Sequence, residues 1–538
     1  MRAGALALML ILAPAVNAQD LDRYQRYQQT PAVLAHYPDV PIALDAPGLA
    51  SGRDSFTSQE ELQSFIAGLA RPSRRMVAGT AGQSQQGREI FYLVATAEGL
   101  SDPAQIVALG RPIVWLIGLQ HGNEPAGGEA MLAAASALAR GELAALTERI
   151  TVVIVPRANP DGAAAFKRTV ANGLDPNRDH LLMLLPETRA IHELMRALPP
   201  DVVLDAHEFT VGNRWIAKFE ALQAVDALIL PATHPMVSRE IATLADTVFR
   251  PRIDAALQAR GLSTHDYFTT VLNNADKTVS MGGNAPGAAR NTFGLNHAVS
   301  FLIETRGVGI GRDSFQRRVA THYIAAKAVL ETAAERAGEL RAASEASRRS
   351  AAAGAAEIVV AHQLGTRPMT LPLRDPASGE AKPTAVEFRD SRAVATAVTR
   401  PAPAGYLVPD IGPAAITALR LNGVALCRTH EAADVEVEAF SIKERVAKVE
   451  REAINPDQAI KADLLRKRMT APAGTLFVPA RQPAGKLAAL ALEPDSAGSL
   501  VGVGLIPLPE GADIPIYRLE AAPKLVPDEP RDSVVCGP

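Results

Sequence analysis

Four short, almost wholly apolar runs limit what this chain can become: residues 112–119 (PIVWLIGL), 150–155 (ITVVIV), 201–206 (DVVLDA) and 299–303 (VSFLI). None alternates polar with apolar, so each reads as a strand covered on both faces. Helical signals lie between them. Pro125 opens the Ala-rich stretch 126–140, and Pro186-Glu187 opens a segment closed by Pro199-Pro200. Residues 233–260 read as mainly helical, and 312–349 as one long Ala/Glu/Arg helix. Strands alternating with helices predict an α/β fold around a mixed or mostly parallel sheet. Such sheets place ligands beyond the carboxyl ends of their strands. His121, His207 and Glu304 all follow apolar runs of this kind, with Thr305 and Arg306 read as the return to polar surface.

His121 and Glu124 stand three apart at a strand-to-helix turn, where both can reach one metal ion. Zinc accepts imidazole nitrogen and carboxylate oxygen, and a catalytic zinc takes three protein ligands. His207, in Asp205-Ala206-His207-Glu208, supplies the third. The residue four positions on is Val211, so this is not the two-histidine His-Glu-x-x-His helix that binds zinc in some proteases. His180, His192, His234, His265, His297 and His322 have no partner spacing and read as ordinary histidines.

A chain of 538 residues exceeds one ordinary core. Its net charge of -3 carries no basic surplus and points away from nucleic acid or an anionic membrane as partner. Residues 1–18 have the charge, the short apolar core and the small-residue end of a signal peptide, with cleavage expected after Ala18. The mature protein is then secreted or periplasmic, without a membrane span. Export permits a disulfide between Cys427 and Cys536, and two unpaired thiols are the alternative. An extended arm is expected over residues 20–56, then a capping box at Ser58 opening a helix to Leu69. Small residues at 344–356 mark a boundary, after which strand-like pieces recur. The expected units are a first domain at 19–345, a smaller β-rich domain at 356–525 and a tail at 526–538.

Five motifs stand in order: His121-Gly122-Asn123-Glu124, Asn159-Pro160-Asp161-Gly162, Asp175-Pro176-Asn177-Arg178, His207, and Phe301-Leu302-Ile303-Glu304. Together they resemble the zinc carboxypeptidase family of the carboxypeptidase A type, over roughly residues 75–330. The resemblance implies an α/β/α sandwich around a mixed eight-stranded sheet, with one catalytic Zn2+ ion. It implies zinc ligation by His121, Glu124 and His207, and Glu304 as general base toward a zinc-activated water. It also implies that Arg168 stabilises the oxyanion, that Asn177 and Arg178 grip the substrate's terminal carboxylate, and that Asp175 partners a zinc histidine. Each role suits the residue type. A carboxylate can pass a proton from water to a leaving amine. A fixed cation stabilises developing negative charge, and a guanidinium holds a carboxylate through two parallel hydrogen bonds.

The chain also departs from the family. The tyrosine carried upstream of the base would fall near Met281-Gly282-Gly283, which holds none. Tyr267 is the nearest and is not expected to replace it. Arg290 lies in the loop expected to line the specificity pocket, where it would favour acidic C-terminal side chains or hold a second carboxylate. The expected function is hydrolysis of C-terminal residues from peptides. A deacylase or amidase acting on N-acyl amino acids or cell-wall peptides is the alternative enzyme, and a zinc-containing binding protein the alternative without catalysis.

Overall fold

The computed structural model describes residues 27–271, 273–409, 411–448, 457–508 and 513–536, so the leader expected at residues 1–18 lies outside the described residues. The strands of the first half are β1 (Met76–Gln83), β2 (Glu89–Ala95), β3 (Ile113–Gly118), β4 (Thr151–Val155), β5 (Val202–Thr210), β6 (Leu222–Gln223), β7 (Ala227–Pro231), β8 (Thr264–Asp266), β9 (Thr269–Thr270), β10 (Val279–Ser280) and β11 (Val299–Val308). Eight of them form one mixed sheet in the order β1-β2-β4-β3-β5-β11-β7-β8. Its centre, β4, β3, β5 and β11, is parallel. Every residue of β3, β4 and β5 is buried, as continuous apolar runs require. The helices Pro125–Arg140 and Phe315–Glu335 cover one face. The helices Pro186–Ala197 and Ala289–Leu295 cover the other. The chain thus builds the α/β/α sandwich around a mixed eight-stranded sheet.

The local signals act as their chemistry dictates. Ser58 accepts the Glu61 amide and Glu61 accepts the Ser58 amide, so the capping box opens helix Gln59–Ala70. Two expectations fail in instructive ways. The segment 312–349 is not one helix: it breaks at Arg336 between Phe315–Glu335 and Ala337–Ala353, and the second helix packs on Arg239–Leu244. Strands β5 and β11 do not stop at His207 and Glu304 but run on to Thr210 and Val308. The polar residues that suggested a strand end are buried and paired instead. Glu208 meets Arg318 at 2.6 Å. Arg306 donates to Gln29 at 2.8 Å and lies 3.7 Å from the Tyr37 ring centroid. Both partners of Arg306 come from the N-terminal arm, which seals this end of the sheet.

Beyond residue 356 a long ribbon pairs β12 (Glu357–Leu371) with β14 (Thr384–Pro401). It adds to the first half, because β14 runs parallel to β10 and the short β13 (Leu373–Arg374) pairs with β6. The remaining chain forms a seven-stranded sheet with the helices Pro413–Leu421 and Gly485–Leu492. Cys427 and Cys536 are bridged, with Cα atoms 5.7 Å apart. No helix among the described residues is long and apolar enough to cross a membrane.

Candidate metal centre

Strand β3 has parallel neighbours on both sides, β4 and β5, so the order of the sheet reverses there. A reversal of this kind opens a crevice at the carboxyl ends of the strands. The turn that leaves β3 is tightly built. Leu119 takes a left-handed φ of 58°, an expensive conformation for a branched side chain. A Cβ on Gly122 would come within 1.9 Å of the Gly162 carbonyl carbon, so the His-Gly-Asn-Glu and Asn-Pro-Asp-Gly turns interlock only as glycine against glycine. Asn159 ties them together: it accepts the Gly162 amide at 2.8 Å and donates to the Gln120 carbonyl at 3.1 Å.

This turn delivers His121 and Glu124, and β5 delivers His207 from mid-strand. The ligating atoms of the three lie within 4.8 Å of one another, and all three residues are buried. His121 Nε2 meets Asp175 at 3.0 Å, and His207 Nε2 meets Asp205 at 2.8 Å. An ionised carboxylate only accepts, so each Nε2 carries the proton and each Nδ1 presents a bare lone pair. Those two Nδ1 atoms stand 3.0 Å apart, with the Glu124 carboxylate 2.9 Å from one and 3.0 Å from the other. Two lone pairs and a carboxylate converging in a buried space repel one another unless a cation joins them. Two nitrogens and an oxygen are the donor set that zinc accepts.

Glu304 on β11 pairs in register with His207 on the parallel β5, so the two side chains rise from the same face. Burial, and then the charge of Glu124, push the Glu304 carboxyl up to about 7. Glu208 is committed elsewhere, to Arg318 and to the Ala126 amide at 3.0 Å. Arg168 reaches the cluster directly, 3.0 Å from His121 Nδ1 and 3.3 Å from Glu124, while its other nitrogen meets Asp175 at 2.8 Å. Asn177 accepts the Ala289 amide at 2.9 Å and so docks the helix that carries Arg290. Arg178 is exposed; it donates to the Asn177 carbonyl at 2.8 Å and has no ion-pair partner among the described residues. Arg290 is buried, donates to the Gly283 carbonyl, and its Nε has no hydrogen-bond partner among the described residues. Tyr267 packs where the sequence has no tyrosine. Its ring is 3.4 Å from the place of a Gly282 Cβ, and burial followed by the Glu304 charge raises its phenol to about 12.

A family model described as zinc carboxypeptidase matches residues 62–184. Carboxypeptidase 2 of Trichophyton rubrum is 30% identical over 479 residues, 88% of each chain. The chain belongs to the zinc carboxypeptidase family. Carboxypeptidase 2 of Trichophyton tonsurans is 29% identical over the same length. The carboxypeptidase A structure from Helicoverpa armigera superposes with a TM-score of 0.41 at 18% identity, covering 55% of this chain and 78% of that one.

As a zinc metallocarboxypeptidase, the protein brings His121, Glu124, His207, Glu304, Arg168, Asn177 and Asp175 to one crevice, with Arg178 at its rim. Motif reading passed over Asp205, Gln120, His180 and His192. Asp205 carried a usable signal: it lies two residues before His207, on the same face of a strand. The others carried none, because they meet only in three dimensions.

Proposed function

We propose that the chain is an exported metallocarboxypeptidase that holds one zinc ion on His121, Glu124 and His207 and removes C-terminal residues from peptides. The observation that carries this reading is the convergence of both Nδ1 lone pairs with Glu124, beside Glu304 and Arg178, which has no ion-pair partner among the described residues. Zinc, when bound, would polarise the scissile carbonyl and acidify water. Glu304 accepts the proton of the attacking water and delivers it to the leaving amine. Arg168 meets the negative charge that develops on the carbonyl oxygen. Arg178 and Asn177 orient the substrate by its terminal carboxylate. Arg290, a buried cation without a carboxylate partner among the described residues, favours an acidic C-terminal side chain or a second carboxylate. Export is supported by the Cys427–Cys536 bridge, which persists in oxidising compartments. The division into a catalytic unit at 19–345, an accessory unit at 356–525 and a tail at 526–538 belongs to the same proposal.

The test compares the zinc-loaded protein on peptides with free and amidated C-termini and on N-acyl amino acids. Only the free acids among the peptides should be cleaved efficiently. Arg178→Ala should cost roughly tenfold in affinity for them, the value of a charge-assisted bond that stays partly in water. Equal cleavage of amides would end the exopeptidase reading, and cleavage of N-acyl amino acids alone would establish the deacylase.

A further inference from the structure

A chain of buried hydrogen bonds runs away from the metal centre. Asp205, which holds His207 Nε2, also accepts from Gln120 Nε2 at 2.8 Å. Gln120 Oε1 stands 2.9 Å from His180 Nε2, and His180 Nδ1 stands 2.9 Å from His192 Nε2. Gln120, His180, His192, Asp205 and His207 are all buried.

The direction of every proton follows from the acceptor at one end. Asp205 can only accept, so the Gln120 amide must turn its NH2 toward it and its oxygen toward His180. His180 must therefore carry its proton on Nε2 and present a bare Nδ1. Only a proton on His192 Nε2 satisfies that lone pair. Burial holds both imidazoles neutral, with His180 down to about 3. The chain is thus a single set of donors aimed at the carboxylate that orients His207. Without the His180 donor, the Gln120 amide is free to flip and set its oxygen against Asp205.

The far end is clamped by the C-terminal half. Asn422 Nδ2 donates to the Leu181 carbonyl at 3.0 Å, next to His180. Arg196, on the helix that carries His192, donates to the Arg420 carbonyl. Residues 420–422 therefore grip both segments that supply the histidines.

We propose that Gln120, His180 and His192 are positioning residues for His207, and that the helix end at 420–422 in the C-terminal half sets the affinity of the zinc site through them. The proposal rests on the zinc-site reading above. Partners that orient a metal-bound histidine are typically worth 10- to 100-fold in metal affinity.

The alternative is that the two histidines only fill space around Phe293, whose ring centroid is 5.2 Å from that of His180 and 5.7 Å from that of His192. The test measures zinc dissociation constants by chelator competition, with melting of the metal-free protein as the packing control. His180→Phe keeps a ring and removes the donor; His180→Gln restores a donor toward Gln120. His180→Phe should weaken zinc by about 10- to 100-fold, and His180→Gln should recover most of the loss. Asn422→Ala should shift zinc affinity in the same direction. Cobalt-loaded His180→Phe should show an altered absorption spectrum. Unchanged zinc affinity in His180→Phe overturns the proposal, as does an equal loss in both His180 variants accompanied by lower metal-free stability. Should His180→Phe not fold, Gln120→Met applies the same test one link closer. A wild-type protein that binds no zinc would instead bring down the zinc-site reading itself.

Discussion

At the scale of single residues, Glu304 is the most exposed to test. Its carboxylate has no hydrogen-bond partner among the described residues, and it shares a register position with His207. Glu304→Gln keeps the shape and removes the basic site. Zinc content should be retained while turnover falls by at least about a hundredfold, the lower range for general acid–base catalysis. Near-normal turnover would reassign the base. The pH dependence has a defined sign. Burial and the Glu124 charge raise the Glu304 carboxyl to about 7, so the base form is lost as pH falls. A bound cation moves that midpoint lower. kcat/KM measured from pH 5 to 8 should therefore decline on the acid side, at a midpoint below 7. A flat profile would show that Glu304 does not act as the base.

At the scale of elements, the lesson lies in β5 and β11. Their apolar halves were legible, because a strand buried on both faces has no polar residue to interrupt it. Their continuations were not, because Glu208, Thr305 and Arg306 look like solvent-facing residues until their partners are known. Arg318 sits 110 residues from Glu208, and Gln29 277 residues from Arg306. No local pattern carries such a distance. The same reasoning explains the site. His121, Glu124 and His207 were readable from residue type and spacing, whereas the Gln120–His180–His192 chain needed the fold. The buried Glu208–Arg318 pair makes its own prediction. Arg318→Leu leaves a carboxylate beneath the metal turn without its partner and should destabilise the protein by about 3–5 kcal/mol, measured by denaturant unfolding. A loss under 1 kcal/mol would mean that Glu208 is held neutral by the fold.

At the scale of the whole molecule, the two halves are joined by covalent and hydrogen-bonded ties that differ in reach. The Cys427–Cys536 bridge closes 109 residues within the C-terminal half. Cys536→Ser should lower stability by about 2–4 kcal/mol, the usual range for a bridge over a long loop. An unchanged denaturation midpoint would show that the fold alone holds the last strand in place. The β12–β14 ribbon acts between halves. Its Arg389 carbonyl accepts the Met281 amide at 2.9 Å, one residue from the glycine against which Tyr267 packs. That amide can trade its proton for deuterium only when the ribbon lets go. Its rate of exchange therefore reports the lifetime of a contact more than a hundred residues away in sequence, and a wall of the crevice breathes in step with a ribbon that holds none of its proposed catalytic groups.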